Sequence, residues 1–543
     1  MSKQPEAGKK GMQKFLDIVE KVGNKVPHPA VIFLLLLLGV IGVSHILHMT
    51  GASVTYDVIV PTQAEVEQLE PFADYDPMYY TSGDQMGYEW FVDGASGIEQ
   101  RTTAARSLLT TDGLRFMYSS LIPNFMGFTA VGLLILAMIG VGVAEESGLI
   151  KALIRKLVVV APPGMLIYIM VFVGILSSVA ADAGYLVLIP LAGAAFMSIG
   201  RHPLAGLAAG FAAVAGAFTV NMLIKPLDAV LVEFTNDAIH LVDPDTSIGL
   251  ASNLWFSVAS VVLLTLVISL ITTKVIEPRL GKYTGETPEE DGATLSPEEK
   301  RGLKFAAFGL AGTLVLFGLL ALPPNAPLRD PESGALIGNT PFMNGLIAFI
   351  AAVFLISGYT YGIGAGTMKK FTDAIKAMEK SLGTLGGLIL LLFIIAQFIA
   401  FFNYSNIATL LAVSLSTALS GASIGPIWLL LGFIIVVALL DFLITGAIAK
   451  WALFAPIFVP LLMRLGVEPE AALAAYRVAD SPINMITPLN AYFALVVVFC
   501  QKYDKNAGVG TVVALMLPYV AIMFVVWTIL FIAWQMFGLP WGL

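Results

Sequence analysis

The chain repeats itself inside an almost continuously apolar sequence, and both copies are interrupted by polar residues where a membrane span tolerates them least. Tyr185, Pro190 and Pro203 recur 266 positions later as Trp451, Pro456 and Pro469. Asn221-Met222 recurs as Asn484-Met485, and Pro226, Asp228 and Ala229 recur at an offset of 262 as Pro488, Asn490 and Ala491. Backbone within hydrocarbon must satisfy its own N–H and C=O groups, so a helix is broken there only where the break lines a polar cavity. Paired interruptions in corresponding positions of two halves are the sequence pointer to a secondary transporter's binding site. The pattern predicts a chain that moves a solute rather than transforming one.

Composition narrows the alternatives. With 57% hydrophobic and 13% charged residues over 543 positions, the chain reads as a polytopic membrane protein. The run 30–48 is long enough to span the hydrocarbon core and lacks a small-residue cleavage site, so it reads as a first membrane helix rather than a signal peptide. A single cysteine, Cys500, excludes an internal disulfide and any multi-cysteine metal site. The five histidines form no HExxH motif, which leaves a metalloenzyme little support, and no basic stripe suggests nucleic acid.

Charge sets the expected topology. Lys3, Lys9, Lys10, Lys14, Lys21 and Lys25 place segment 1–29 in the cytoplasm by the positive-inside rule. The acidic stretch 51–115 then reads as an external loop, with Phe116 to Ala144 returning to Lys151, Arg155 and Lys156. The region 162–199 breaks at Ser177–Gly184 between two basic flanks, which suits a re-entrant hairpin; 204–232 crosses outward, broken by Gly216, Asn221, Pro226 and Asp228. These belong to a first membrane half, 30–273, joined by a charged cytoplasmic linker, 274–302, to a second half, 303–543. There the hairpin is 426–463, breaking at Asp441–Gly446, and the broken span is 471–500. The expected fold is all-α, with about nine transmembrane helices plus two re-entrant hairpins, the amino terminus inside and the carboxy terminus outside. One extra span, Phe342 to Tyr359, turns the second repeat over, so the halves are expected to be inverted-topology repeats with broken helices.

Ionisable residues at membrane depth cost roughly 2.5–3.5 kcal/mol each on insertion scales and are functional candidates by default. Asp182 sits at the break of the first hairpin, where half-helix ends offer free backbone groups, or where it simply caps the second half-helix. Asp441 and Thr445 mark the second break; Asp441 suits a cation or proton, or a salt bridge to Lys450. Trp451 suits stacking on an aromatic substrate, or packing, as its counterpart Tyr185 suggests. Asn221, Pro226 and Asp228 mark the first broken span, and Asn484, Thr487, Pro488 and Asn490 the second. Proline frees a carbonyl one turn earlier. With Asn and Thr oxygens this makes an oxygen-rich cage for Na⁺ from Asn221, Asn403, Asp441, Thr487 and Asn490, or else a kink lined by capping side chains. Arg477 and Asp480 share a helix face at a spacing of three, either as a mutually neutralising pair or with Arg477 holding a substrate carboxylate. Glu145 and Glu146 read as the cytoplasmic boundary.

Those residues lie in stretches that resemble the p-aminobenzoyl-glutamate transporter (AbgT) family of bacterial inner membranes over nearly the whole length. The stretches are Val22-Gly23-Asn24-Lys25-Val26-Pro27-His28-Pro29, Ala449-Lys450-Trp451-Ala452-Leu453-Phe454-Ala455-Pro456-Ile457-Phe458-Val459-Pro460, and Asp480-Ser481-Pro482-Ile483-Asn484-Met485-Ile486-Thr487-Pro488. The resemblance implies a homodimer in membrane lipid, each protomer with nine spans, two hairpins and its own pathway. It further implies uptake of p-aminobenzoyl-glutamate or export of sulfonamide antimetabolites, driven by a cation gradient, and carries the family's motif positions onto Asp182, Trp451, Arg477, Asp480 and Pro488. Thr445-Gly446-Ala447-Ile448 departs from the family's more serine-rich stretch.

The expected function is cation-coupled transport of p-aminobenzoyl-glutamate or a related small aromatic carboxylate or sulfonamide, with Na⁺ or H⁺ as coupling ion and no cofactor. A Na⁺-coupled dicarboxylate carrier is the alternative of the same class. A membrane-embedded hydrolase is the alternative of another; it lacks a nucleophile elbow and a histidine near either break.

Overall fold

The computed structural model describes residues 29–60, 97–160, 162, 164–180, 184–244, 246–283, 295–337, 340–421, 425–441, 446–487, 490 and 492–543. The first helix, α1 (Pro29–Met49), is apolar until Ser44, His45 and His48 near its end. Two antiparallel strands follow, β1 (Ser53–Val60) and β2 (Gly97–Ala104), with Ser53 opposite Ala104. Two short helices, α2 (Thr111–Ser119) and α3 (Leu121–Met126), lead into α4 (Thr129–Glu146). The expected loop 51–115 therefore extends further along the chain, and the span expected from Phe116 begins at Thr129. The amphipathic α2 is capped by Thr110, whose side chain accepts the Gly113 N–H, and this separates its apolar residues from the span proper.

From α4 onward the two halves follow one order. The first contains α4, α5 (Leu149–Val160), α6 (Leu166–Leu176), α7 (Ile189–Ser198), α8 (Pro203–Gly216) and α9 (Pro226–Ile239), then the long α10 (Leu254–Ile271), which continues to Leu280. Three connecting helices follow: α11 (Pro297–Ala321), α12 (Leu346–Ala365) and the amphipathic α13 (Phe371–Thr384). The second copy is α14 (Gly386–Tyr404), α15 (Ile407–Gly421), α16 (Pro426–Leu440), α17 (Ala447–Arg464), α18 (Pro469–Ile483) and α19 (Phe493–Gln501), then the long α20 (Val509–Met536).

Helices α5 and α15 were not expected as separate elements. Helix α5 is set off from α4 by a 64° bend at Gly148, whose φ of +91° lies in the region that favours glycine. The linker expected from residue 274 starts later, because Ile271 and Ile276 keep the helix buried and Arg201 holds Glu277 at 2.5 Å. Its end, where α11 begins, is set by a capping box: Ser296 Oγ accepts the Glu299 N–H and Glu299 accepts the Ser296 N–H.

Among the described residues, seven helices are long and apolar enough to cross a bilayer, and counting the bent pair α4–α5 gives up to eight. The segments 166–179, 184–198, 203–216 and 426–440 are apolar but too short to cross alone. These are the arms and half-spans expected of interrupted segments. All fourteen residues of α8 are buried, as are residues 471–483 of α18, so the first halves of both broken spans form the centre of the molecule. Around them, α6 and α7 pack on α8, α16 on α18, and α17 on α9. Helix α12 packs on both α4 and α11, and against α4 it does so through small residues: a Cβ on Gly140 would strike the backbone of Ala351, and one on Gly358 the backbone of Ala144.

Candidate functional site

Both broken spans stop at the same place. Beyond Gly216 the chain leaves helical geometry until Pro226, and beyond Ile483 the described residues do so until Phe493. The free backbone groups of these ends are met largely by the other repeat. Thr219 N donates to Ser481 Oγ at 3.1 Å, the two hydroxyls hydrogen-bond to each other, and Thr219 Oγ1 donates to Arg477 O at 3.1 Å. Arg477 returns the contact, with Nη1 donating to Thr219 O at 2.5 Å.

The same Nη1 donates to Asp228 Oδ1 at 2.6 Å, and Nε donates to Asn253 Oδ1 at 3.2 Å. Asp228 Oδ2 accepts the backbone N–H of Lys225 at 2.9 Å, capping α9. The mutual Arg477–Asp480 pairing is thus not formed. Arg477 crosses to the first repeat, and Asp480, one turn away, is occupied by stronger partners. Lys450 Nζ lies 2.5 Å from Asp480 Oδ1 and also pairs with Asp441 Oδ1, as the salt-bridge reading of Asp441 expects. The Tyr476 hydroxyl is within donating distance of Asp480 Oδ1 (3.0 Å) and Ala447 O (2.6 Å), and Asn484 Nδ2 donates to Asp480 Oδ2 at 3.2 Å. The side chains of Lys450, Asp441 and Asp480 are fully buried, where only pairing and hydrogen bonding offset the loss of hydration.

Trp451 is buried beside this cluster. Its Nε1 lies 3.0 Å from both Leu231 O and Thr235 Oγ1 on α9, and its ring lies 4.6 Å from that of Tyr476, tilted by 30°. The corresponding Tyr185 stacks on Tyr492 at 4.3 Å, at the start of α19. Each hairpin's aromatic residue therefore leans on the broken span of the opposite repeat.

The remaining candidates divide between the two breaks. Asn221 Nδ2 faces Ile175 O, Leu176 O and Ser178 Oγ at 3.0–3.2 Å, and its Oδ1 accepts the Leu223 N–H. Asn221 thereby ties the first break to the end of α6. Asn490 Nδ2 donates to Asn484 O at 3.0 Å and Asn490 N to Thr487 O at 3.2 Å, so Asn484, Thr487 and Asn490 form one turn. Asn403 closes α14, which touches α17. Its Oδ1, like Asp441 Oδ2, is a buried acceptor with no hydrogen-bond partner among the described residues. Oxygen atoms of this kind are what a hard cation takes. Asp182, Thr445 and Pro488 lie outside the described residues. Glu146 pairs with Lys380 at 2.7 Å on an exposed face, away from this cluster.

A family model for AbgT transporters matches residues 14–543. The chain belongs to the AbgT transporter family. It is 31% identical over 542 residues to the p-aminobenzoyl-glutamate transport protein of Escherichia coli, covering 100% of this chain and 98% of that one. It also superposes on two solved AbgT-like structures. The YdaH transporter of Alcanivorax borkumensis, noted for an unusual topology, is 37% identical with a TM-score of 0.83, covering 95% of this chain and 100% of that one. MtrF of Neisseria gonorrhoeae, placed in a class of antimetabolite efflux pumps, is 35% identical with a TM-score of 0.83, covering 96% and 97%. This AbgT chain is a multi-pass membrane transporter and not an enzyme.

Sequence reasoning passed over several residues that complete this AbgT cluster. Lys225 is 1% exposed beside Pro226, and the insertion cost that singled out Asp182 applies equally to it. Tyr476 and Ser481 flank Arg477 and Asp480 directly. Ser178 was read only as part of the first hairpin's break, and Thr219 and Asn253 carried no signal, because hydroxyl and amide residues are ordinary within membrane helices and only their partners distinguish them.

Proposed function

We propose that this AbgT-family chain is a cation-coupled secondary transporter of p-aminobenzoyl-glutamate or related aromatic carboxylates and sulfonamide antimetabolites. In this reading it works in the bacterial inner membrane as a homodimer, with a cytoplasmic amino terminus and a periplasmic carboxy terminus. Each protomer has nine spans, with α6–α7 and α16–α17 as re-entrant hairpins. The observation that carries the reading is the buried charge cluster at the two breaks: Asp228, Asp441 and Asp480 against Lys225, Lys450 and Arg477. A structural core has little use for six such groups, since well-packed apolar residues are as stable. A carrier needs them, because an arriving ion or carboxylate must find a partner to displace.

Arg477 offers a planar fork matched to a carboxylate, while Asp480 and Asp182 exchange the coupling cation. Asn403, Asp441, Asn484, Thr487 and Asn490 line the second break and Asn221 and Asp228 the first. The hairpin-bearing unit moves against a scaffold of α4, α11 and α12, exposing the cluster alternately to each side.

The test is p-aminobenzoyl-glutamate flux in proteoliposomes under a Na⁺ gradient and a pH gradient imposed separately. Acceleration by Na⁺ alone assigns Na⁺ to the oxygen-lined breaks, and acceleration by the pH gradient alone assigns H⁺ to the aspartates. Absence of flux under both would remove the substrate assignment.

A further inference from the structure

Lys225 is the cation of the central cluster whose side chain meets no carboxylate among the described residues. Its Nζ donates to Ser178 Oγ at 3.2 Å and to Phe218 O, and lies 5.2 Å from the Phe218 ring centroid. All of these partners are neutral. The nearest acid in sequence, Asp228, is fully engaged: Oδ1 accepts from Arg477 and Oδ2 from Lys225's own backbone N–H. Ser178 is engaged as well, accepting from Asn221 Nδ2 and donating to Ile175 O.

An ammonium has three donors, and here two of them have partners. Fixed neutral oxygens orient the group, and among the described residues no carboxylate contacts its ammonium, which is a costly position for a buried charge. An anionic oxygen arriving at the third donor gains a charge-assisted hydrogen bond and relieves that cost at once. The Asp228 carboxylate that Arg477 holds also accepts the Lys225 backbone N–H, so both cations belong to residues tied to one acid, and a solute carrying two carboxylates has a cation on each to meet.

We propose that Lys225 binds a carboxylate of the transported solute as a second anchor beside Arg477, making the carrier selective for dicarboxylates over monocarboxylates. This rests on the transporter reading above and adds its substrate selectivity.

The experiment compares p-aminobenzoyl-glutamate, with two carboxylates, and p-aminobenzoate, with one, as labelled substrates in proteoliposomes. Wild type should favour the dicarboxylate. Lys225→Met should raise its KM by roughly 10- to 100-fold, the loss expected of a charged hydrogen bond, while p-aminobenzoate stays within about twofold. Lys225→Arg should keep the preference. If Lys225→Met fails to elute as folded protein, Lys225→Gln against Lys225→Arg gives the same comparison. Equal losses for both substrates would overturn the proposal, making Lys225 structural. Recovery of tight p-aminobenzoyl-glutamate binding, measured on purified protein without transport, on adding Asp182→Asn to Lys225→Met would also overturn it, assigning the lysine's charge to Asp182. Wild-type flux with an unchanged ratio in the variants overturns Lys225 alone, whereas no wild-type flux of either compound takes the functional reading down with it.

Discussion

The hydroxyls of Thr219 and Ser481, one from each broken span, hydrogen-bond to each other, and Thr219 N also donates to Ser481 Oγ. Their separation of 262 residues is within one of the 263 that relates nearby Asn221 to Asn484, so the contact joins nearly matching places in the two copies. It also fixes Arg477, whose carbonyl accepts from Thr219 Oγ1 and whose Nη1 donates to Thr219 O. The junction and the charge cluster are one network.

Thr219→Val keeps the shape of the side chain and removes its hydroxyl. It should destabilise the protein by about 1–3 kcal/mol, the cost of stranding buried polar partners. Ser481→Ala should cost a similar amount, since the Thr219 N–H then loses its acceptor. The double variant should cost less than the two singles together, because each removes the group the other stranded. Thermal unfolding in detergent measures all three, and strict additivity would show that the contact is not shared.

Arg477→Met leaves Asp228 buried without its cation. Loss of one partner from such a pair costs about 3–5 kcal/mol, and adding Asp228→Asn should restore part of the lost melting temperature. Transport should stay abolished in both variants. A double variant no more stable than Arg477→Met would detach Asp228 from the pairing.

Two glycines separate rigid contacts from soft ones. Gly140→Ala drives a methyl into the Ala351 backbone, which no rotamer change relieves, so expression of folded protein should collapse. Gly216→Ala meets the ends of Met485 and Met523 instead, and flexible thioethers can move aside. It should fold with close to wild-type yield. Size-exclusion profiles of the two variants decide the matter.

His202, on the turn between α7 and α8, accepts the Leu204 N–H at Nδ1 and packs edge-on against Tyr283. Burial lowers its pKa below the ordinary 6.5, against the opposing pull of Glu277 and Asp504. The unfolded chain therefore takes up the proton first as pH falls. The imidazole's contribution to stability is complete above 6.5 and is lost as pH drops from there to the folded value. His202→Asn keeps a capping acceptor without titrating in this range. The fall in melting temperature from about pH 7.5 to about pH 5.5 should be smaller in the variant than in wild type. An equal fall would assign the acid sensitivity elsewhere.

The fold was legible where apolar length and punctuation decide it. Pro203, Pro226 and Pro469 each stand at the first turn of a helix, and both breaks fall within the expected segments. Helices α5 and α15 escaped because they follow their neighbours after gaps of two residues, too short to register as turns in an apolar stretch. The strand pair escaped because an acidic, polar loop has no periodicity that ties Ser53 to Ala104 across some fifty residues. At the site, residue identities were legible but their partners were not. Spacing along one helix placed Arg477 beside Asp480, and nothing in a local pattern ranks that neighbour against Asp228, 249 positions away.

The exchange of aromatic contacts, Trp451 onto α9 and Tyr185 onto the start of α19, bears on the origin of the chain. A single repeat unit would have presented a hairpin with nothing to lean on and an Arg477 equivalent with no acid opposite it. Such an ancestor could have functioned only by borrowing both from a second copy of itself. Carrying both copies on one chain turns an association that would depend on concentration into one guaranteed by a peptide linker. By the same logic, halves of this chain expressed from separate genes should be inert alone and regain function only together.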